Sequence, residues 1–357
     1  MKRTIGTPAG ADDPIGTAAG ILEHSMQAIR ILKPPGGIEA LESAELPLPQ
    51  PGSGQVRVLA HAIGVGNPDA LIRQGTYRWM PPLPAIPGNE MAGRIDAVGA
   101  GVDPALAGRS VLVSSRELEQ RGGCYAQAIC VPAAALYFLS PEIAPADAVS
   151  LPNYQLAGAL LQVATGGWRP RTVLIHGAAG GVATAVIQLG ALLGMEMIGT
   201  VSTEDKRRFA FASGAAHVIL RGAEDVGRRV RELTDGRGVD LVLDQAGGAS
   251  LIDALELLAP LGMVVSYNAL AGLPEKDLFA EMRRYVGRSL AVRCFSIHTL
   301  DTMPDVRRRL MEAAIDHMAA GRLRPPAPTI VPLSQARRAH ELLDAAATLG
   351  KLVLQPD

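Results

Sequence analysis

The feature that most constrains the fold of this chain is a buried-strand pattern that runs directly into a turn of small residues and then into a helix pattern. Residues 172–176 (TVLIH) are apolar enough for a fully buried strand, and residues 177–181 (GAAGG) form the turn. Apolar residues at helical spacing follow at 182–189 (VATAVIQL). Because such a corner presents backbone N–H groups at the positive end of a helix, it predicts a phosphate-binding site.

The spacing within the corner indicates the kind of phosphate compound. Ala178, Gly180 and Ala183 occupy the three small positions of the dinucleotide fingerprint G-x-G-x-x-G/A. Three more strand patterns follow, separated by helical segments, at residues 195–201, 217–220 and 239–244. A turn that serves packing only is the alternative, but the repeated strand–helix order favours a dinucleotide-binding domain. The predicted cofactor contacts in the corner are Gly177, Ala178, Ala179, Gly180, Gly181 and Val182.

The composition excludes several classes of protein. With 48% hydrophobic and 19% charged residues among 357, the chain has material for a large core and is not globally disordered. A formal net charge of −1 does not indicate binding to nucleic acid or to an anionic membrane, because both favour strongly basic proteins. No apolar run is long enough to span a bilayer, and three cysteines do not form a disulfide framework. We therefore expect a cytoplasmic protein with a small-molecule substrate and no nucleic-acid or membrane partner.

Residues 1–25 differ from the rest of the chain. They are rich in Gly, Pro and Ala, show no periodicity and lack the apolar segment of a secretion signal. The first strand pattern begins only at Met26. We predict a flexible N-terminal extension, with Met26 as a possible functional start and a targeting role as the alternative.

The order of strand and helix patterns divides residues 26–357 into two predicted domains. Residues 26–145 show short alternating runs separated by Gly and Pro, which are typical of a β-rich domain. Residues 146–297 alternate strand and helix, and residues 298–357 hold two helix patterns and a closing strand. We predict an α/β fold in which a β-rich domain, built from 26–145 and 298–357, is interrupted by a doubly wound domain. The crevice between them is the expected active site.

Several motifs in this order resemble one family. They are residues 68–77 (PDALIRQGTY), 82–93 (PLPAIPGNEMAG), 97–102 (AVGAGV), 176–181 (HGAAGG) and 234–240 (TDGRGVD). In these motifs and their order the chain resembles the medium-chain dehydrogenase/reductase superfamily from Met26 to its C-terminus. The zinc-independent quinone oxidoreductase branch fits best, followed by the 2-enoyl thioester reductases. The resemblance implies a GroES-like catalytic domain around a Rossmann NADP-binding domain.

The zinc ligands of the metal-dependent relatives are missing. Their His-Glu pair corresponds here to Asn89-Glu90, and Cys124 and Cys130 have no histidine at ligand spacing. We therefore predict that the protein uses no metal, which argues against alcohol dehydrogenation, where zinc would polarise the alkoxide.

The end of the second strand pattern carries hydroxyls and cations instead of the carboxylate typical of NAD sites. Ser202, Thr203 and Lys206 suit the 2′-phosphate of NADPH, and they match an S-T-x-x-K motif that quinone-reductase relatives use in this way. The resemblance places Arg221 beside the same phosphate, where many relatives have a tyrosine. The alternative is a solvated helix start with ordinary first-turn charges. We expect NADPH as the cofactor.

Tyr77 is the predicted catalytic acid. Reduction of a carbon–carbon double bond beside a carbonyl requires a proton donor, and a phenol with a pKa of about 10 stays protonated at neutral pH. The related enoyl reductases carry their catalytic tyrosine at the position of Tyr77. The alternative is that Tyr77 only walls the pocket or packs, because quinone reduction needs no proton donor at carbon.

Further cofactor contacts are implied by the resemblance alone. The family's Tyr-Gly-Gly near the nicotinamide reads Tyr267-Asn268-Ala269 here, and its Gly-Phe-Trp reads Cys294-Phe295-Ser296. The resemblance implies cofactor contacts at Tyr267, Asn268 and Phe295. Lys351 aligns with a lysine that often touches the cofactor, with a plain surface lysine as the alternative. Smaller residues at Ala159 and Ser296 indicate a pocket reshaped from that of the enoyl-thioester reductases.

These observations lead to a functional hypothesis and two alternatives. We expect an NADPH-dependent, zinc-independent reductase of quinones or small α,β-unsaturated carbonyl compounds. A trans-2-enoyl thioester reductase is the alternative within the family, and a non-catalytic nucleotide-binding protein is the alternative outside it. The apolar run at 289–297 predicts an edge strand of the Rossmann sheet through which two copies pair as a homodimer.

Overall fold

The computed structural model describes residues 24–357. Most of the predicted flexible extension, residues 1–25, therefore lies outside the described residues. Ser25 already belongs to the first strand, one residue before the expected start at Met26.

The described chain alternates short strands and helices throughout. Its strands are β1 (Ser25–Arg30), β2 (Glu42–Pro47), β3 (Gln55–Val65), β4 (Glu90–Val98), β5 (Ser110–Ser114), β6 (Ala128–Pro132), β7 (Tyr137–Phe138), β8 (Thr172–His176), β9 (Glu196–Val201), β10 (His217–Leu220), β11 (Val239–Asp244), β12 (Leu258–Ser266), β13 (Ala291–Cys294), β14 (Thr329–Pro332) and β15 (Leu352–Gln355). Its α-helices are α1 (Asn67–Arg73), α2 (Pro145–Ala148), α3 (Leu151–Gly158), α4 (Gly181–Leu192), α5 (Glu204–Ala212), α6 (Val226–Leu233), α7 (Gly248–Leu257), α8 (Leu278–Arg283), α9 (Pro304–Ala319) and α10 (Ala336–Asp344). Across residues 24–357, no helix combines the length and apolarity that crossing a bilayer requires.

Six strands form a parallel sheet in the order β10-β9-β8-β11-β12-β13. In chain order this is 3-2-1-4-5-6, the strand order of doubly wound dinucleotide-binding folds. The order reverses between β8 and β11, and ligands of such sheets bind beyond the carboxyl ends of the strands at that point. The predicted α/β fold with a Rossmann sheet is confirmed.

The central strands are continuously apolar because both faces of the sheet are covered. Val173 and Ile175 pack into the core on one face, and Leu174 packs into the core on the other. All three side chains are fully buried. A strand buried on both faces cannot show polar alternation, which is why the run at 172–176 stood out in the sequence.

The remaining strands build a seven-stranded sheet and a two-stranded ribbon. The large sheet runs β14-β15-β3-β4-β5-β7, with β6 also paired to β3, and β1 pairs with β2. This confirms a GroES-like, β-rich part assembled from both ends of the chain. Strand β14 was not predicted, because it has only four residues and ends at a proline.

Helix α9 packs across the predicted domain boundary. Its Met311, Ala314 and Ile315 belong to the same hydrophobic core as α3 and the parallel sheet, although the boundary after Ile297 assigns α9 to the β-rich domain. The boundary at that position stays a prediction.

Candidate active site

The corner between β8 and α4 has the geometry that a pyrophosphate needs. Gly177 has a φ of +66°, a left-handed conformation that favours glycine. A Cβ at Gly181 would lie 2.8 Å from the Nδ2 atom of Asn153 and 3.3 Å from the carbonyl oxygen of Gly350, so a larger residue there would have to displace the Asn153 side chain. No side chain caps α4 at Gly180, which leaves the positive end of the helix available. These features fit a phosphate group.

The first small position of the fingerprint also serves packing. Ala178 is fully buried, and its Cβ would lie 2.5 Å from a Cβ added to Gly199 on β9. Its backbone N–H donates to the carbonyl of Thr200 at 3.0 Å. The corner therefore packs against the end of β9. This contact brings the residues after β9, Ser202 and Thr203, close to the corner.

Among the described residues, the segment after β9 carries a lysine, Lys206, that pairs with no carboxylate. Thr203 caps α5 by accepting from the N–H of Lys206 at 3.3 Å, and the ammonium of Lys206 donates to the carbonyl of Ala346 at 3.3 Å. Glu204 and Asp205 instead pair with arginines of their own helix. Within the described part of the chain, no carboxylate lies within 4.0 Å of the Lys206 ammonium. An anionic group of a ligand could therefore bind beside the Lys206 ammonium.

Ser202 and Arg221 lie at the same edge. Ser202 is exposed directly after β9, and Arg221 is exposed directly after β10. The backbone N–H of Arg221 donates to the carbonyl of Val201 at 2.8 Å, which places the two strand ends side by side. The four residues predicted for the 2′-phosphate thus come from adjoining segments.

The candidate contacts at the nicotinamide end also lie along the carboxyl edge of the sheet. Tyr267 follows β12, and its hydroxyl donates to Gln245 at 3.4 Å. Phe295 follows β13, is 7% exposed, and donates its N–H to Ser266 at 2.8 Å. Asn268 is exposed beside Tyr267. The sheet therefore brings together residues that are far apart in sequence.

Lys351 has a different environment from the one expected of a surface lysine. It is 6% exposed, and its ammonium forms an ion pair with Glu90. The surface-lysine alternative is therefore wrong. The preceding residue, Gly350, donates its N–H to Ala179 at 3.0 Å, so Lys351 lies near the phosphate corner while its charge is engaged by Glu90.

Tyr77 is joined to a histidine and an aspartate that the sequence did not reveal. The Tyr77 hydroxyl lies 3.3 Å from Nε2 of His298, and Nδ1 of His298 lies 3.1 Å from a carboxylate oxygen of Asp301. The Trp79 ring stacks on His298 with centroids 3.4 Å apart. We name Tyr77, His298 and Asp301 the acid triad. Sequence reasoning missed His298 and Asp301 because 221 positions separate His298 from Tyr77.

The charges around the acid triad set its protonation. Burial lowers the pKa of His298, while the bond to Asp301 opposes that shift. Burial raises the pKa of Tyr77, which Arg116 and Arg121 oppose. A neutral His298 places its hydrogen on Nδ1 toward Asp301, which leaves Nε2 to accept from Tyr77.

Asp301 is fixed by two arginines from different segments. Arg121, from the loop after β5, donates to Asp301 at 2.7 Å, and Arg307 on α9 donates to it at 2.9 Å. Burial raises the pKa of Asp301, but the bonds from His298 and Arg121 outweigh burial and hold the pKa below its usual value. Asp301 therefore stays ionised beside His298.

A cavity of about 570 Å³ opens beside the acid triad. Its wall includes Trp79, whose ring centroid lies 5.7 Å from that of Tyr77. Met80 and Leu118 add apolar surface, and Arg116 and Arg121 add positive charge. This volume suits a small molecule.

The position of the relatives' zinc-ligating histidine does not fit a metal. The amide of Asn89 donates to Asp69 at 2.8 Å and accepts from Ser115 at 2.6 Å, so its polar atoms are already engaged. Among residues 24–357, no group of three His, Cys, Asp or Glu side chains could hold a metal ion. A metal-free protein remains our prediction.

Comparison with known proteins assigns the family. Residues 52–141 match the alcohol dehydrogenase GroES-like domain, and residues 213–354 match a family described as zinc-binding dehydrogenase. The chain is 33% identical over 325 residues to a quinone oxidoreductase of Pseudomonas aeruginosa, a match that spans 90% of this chain and 97% of that protein. It is 31% identical over 335 residues to a 2-haloacrylate reductase of a Burkholderia species, which spans 90% and 96%.

A solved structure agrees with the sequence comparison. Escherichia coli quinone oxidoreductase complexed with NADPH superposes with a TM-score of 0.81 at 29% identity, over 92% of this chain and all of that one. The chain belongs to the medium-chain dehydrogenase/reductase superfamily, in the zinc-independent quinone oxidoreductase branch. It is an oxidoreductase of that type.

The bond between His298 and Asp301 can be tested through the histidine itself. Asp301→Asn removes the carboxylate that raises the pKa of His298, so we expect that pKa to fall further below 6.5. An NMR titration of the imidazole resonances, assigned with a His298→Gln variant, measures the shift. Asp305→Asn, an exposed change on α9, is the control and should leave the titration unchanged. An unaltered pKa of His298 in Asp301→Asn would show that the contact does not govern its protonation.

Proposed function

We propose that the protein uses NADPH to reduce the double bond of small α,β-unsaturated carbonyl compounds, and also reduces quinones. The observation that carries the proposal is the acid triad beside a cavity, in a chain whose parallel sheet has the dinucleotide-binding strand order. The similarity to a quinone oxidoreductase and to a 2-haloacrylate reductase supports both substrate classes.

The residues of the corner and of the segments after β9 and β10 support NADPH as the cofactor. The unblocked start of α4 accepts the pyrophosphate, and Ser202, Thr203, Lys206 and Arg221 provide hydroxyls and cations for the 2′-phosphate. A similar solved structure is complexed with NADPH. When bound, NADPH supplies the hydride.

Tyr77 supplies the proton that completes the reduction of a carbon–carbon double bond. Burial raises the pKa of its phenol, so the hydroxyl stays protonated at neutral pH. Hydride addition to the β-carbon leaves an enolate, and the phenol protonates it to give the saturated carbonyl compound. The Tyr77 hydroxyl turns its hydrogen from Nε2 of neutral His298 toward the substrate, and the nearby charges of Arg116 and Arg121 stabilise the resulting tyrosinate.

The second candidate within the family is reduction of an enoyl thioester. The observation that favours it is the same buried donor, because an enoyl thioester also requires a proton at carbon. Crotonyl-CoA therefore belongs in the substrate panel beside an enone and a quinone.

We also propose that the protein is a homodimer through the Rossmann sheet edge. Strand β13 lies at the end of the sheet and pairs only with β12 among the strands that the structure describes. An open edge of this kind is a ready surface for pairing with a second copy. Light scattering should give twice the chain mass of 37.3 kDa, and a single-chain mass would contradict the proposal.

Substitution of Tyr77 separates the two substrate classes. In Tyr77→Phe, turnover of an enone should fall at least tenfold, since positioned acids contribute about 10²–10⁴-fold. Quinone turnover should change little, because the product oxygens take protons from solvent. The measurement is NADPH oxidation with each substrate, and the affinity for NADPH should be unaltered. Equal turnover of the enone by both enzymes would remove Tyr77 from the chemistry.

Substitution of Lys206 tests the cofactor. Lys206→Ala should weaken NADPH binding about tenfold, the equivalent of about 1.4 kcal/mol, and leave NADH binding within twofold. Isothermal titration calorimetry measures both nucleotides. Lys276→Ala, an exposed lysine in the loop before α8, is the control. If both nucleotides weaken equally in Lys206→Ala, the lysine does not recognise the 2′-phosphate.

A further inference from the structure

Arg116 is a cation in the cavity wall that forms no ion pair with the residues the structure describes. Its Nη1 donates to the carbonyl of Pro152 at 3.2 Å and to the side-chain oxygen of Gln155 at 3.0 Å, and both acceptors are neutral. Over residues 24–357, no carboxylate oxygen lies within 4.0 Å of its guanidinium. Charged groups inside proteins are normally paired, so an unpaired arginine in a cavity calls for an anion.

The nearby carboxylates are engaged by other cations. Asp301 is bound by Arg121 and Arg307, and Glu117 is bound by Arg307 at 2.7 Å. Glu90 pairs with Lys351. Glu119 also lines the cavity, but it is exposed and makes no bond to Arg116. The structure therefore leaves the charge of Arg116 for a ligand.

The arginine is held in a fixed orientation. Gln155 is fully buried, and its amide donates to the carbonyl of Arg307 at 2.9 Å, which aims its oxygen at Arg116. Of the three guanidinium nitrogens of Arg116, only Nη1 donates to a residue within 24–357. Nε and Nη2, which form a parallel pair of donors, remain for a carboxylate in the two-bond geometry that arginine favours.

We propose that Arg116 binds a carboxylate of the substrate, so that the preferred substrates are α,β-unsaturated carbonyl compounds that also carry a carboxylate. This inference rests on the proposed function and specifies its substrate class. Trp79, Met80 and Leu118 line the same cavity and would cover the carbon skeleton of the substrate.

A phosphate of the cofactor is the other anion that Arg116 could meet. Arg116 lines the cavity together with Trp79 and lies close enough to Tyr77 to affect its pKa, whereas none of residues 177–182 of the phosphate corner lines that cavity. The geometry therefore favours the substrate, and the affinity for NADPH distinguishes the two sources.

Binding without turnover gives the first test. Trp79 lines the cavity, so its fluorescence reports occupancy, and a Trp168→Phe background removes the second tryptophan. The saturated probe 4-oxopentanoate should bind at least tenfold more tightly than its methyl ester. Arg116→Gln should abolish the difference and Arg116→Lys should retain part of it. Arg94→Gln, an exposed change on β4, should preserve it fully. Equal affinity for acid and ester in the parent protein would overturn the inference.

Kinetics with a matched substrate pair gives the second test. For (E)-4-oxopent-2-enoate, Arg116→Gln should raise KM at least tenfold, and for the methyl ester KM should stay within twofold. A variant that weakens both substrates equally, or that raises KM for NADPH, would overturn the inference. If the wild-type enzyme reduces neither compound, the proposed function fails, while the fluorescence titration still decides the role of Arg116. A thermal melt of each variant confirms that it is folded.

Discussion

The shared carboxylate of Asp301 is the interaction on which the candidate active site depends. Arg121, Arg307 and His298 all contact it, at 2.7, 2.9 and 3.1 Å, and they come from three separate segments. Arg307 also donates to both carboxylate oxygens of Glu117 through Nε and Nη2, and this contact links α9 to the loop after β5. The bonds from the two arginines hold the Asp301 carboxylate in place. Asp301 in turn orients His298, which is the hydrogen-bond partner of Tyr77.

The two halves of the chain contribute different parts of the chemistry. The parallel sheet supplies the phosphate corner, the cations after β9 and the apolar residues that follow β12 and β13. The β-rich part supplies Tyr77, Trp79 and the arginines of the loop after β5. Gly350 donates its N–H to the carbonyl of Ala179 in the corner, so a backbone hydrogen bond joins the two parts next to the buried ion pair of Lys351 and Glu90.

The sequence predicted the Rossmann sheet closely and the acid triad only in part. Strands β10 and β11 have the expected limits, because each is built around three consecutive apolar residues, 218–220 and 241–243, that pack on both faces of the sheet. Tyr77 was found through a family resemblance, whereas His298 and Asp301 lie on a short 3₁₀ turn without periodicity. The free charge of Arg116 depends on which carboxylates other arginines occupy, and only the folded chain determines that. The surface-lysine alternative for Lys351 was wrong, and the sequence could not exclude it because its partner, Glu90, is 261 positions away.

We propose that this site delivers a hydride to carbon and a proton from Tyr77. NADPH deuterated at the transferable position, with an α,β-unsaturated ketone as substrate, tests the hydride directly through mass spectrometry of the product. We expect a saturated ketone with one deuterium on the β-carbon. An unlabelled ketone, or an alcohol with deuterium on the carbonyl carbon, would contradict it.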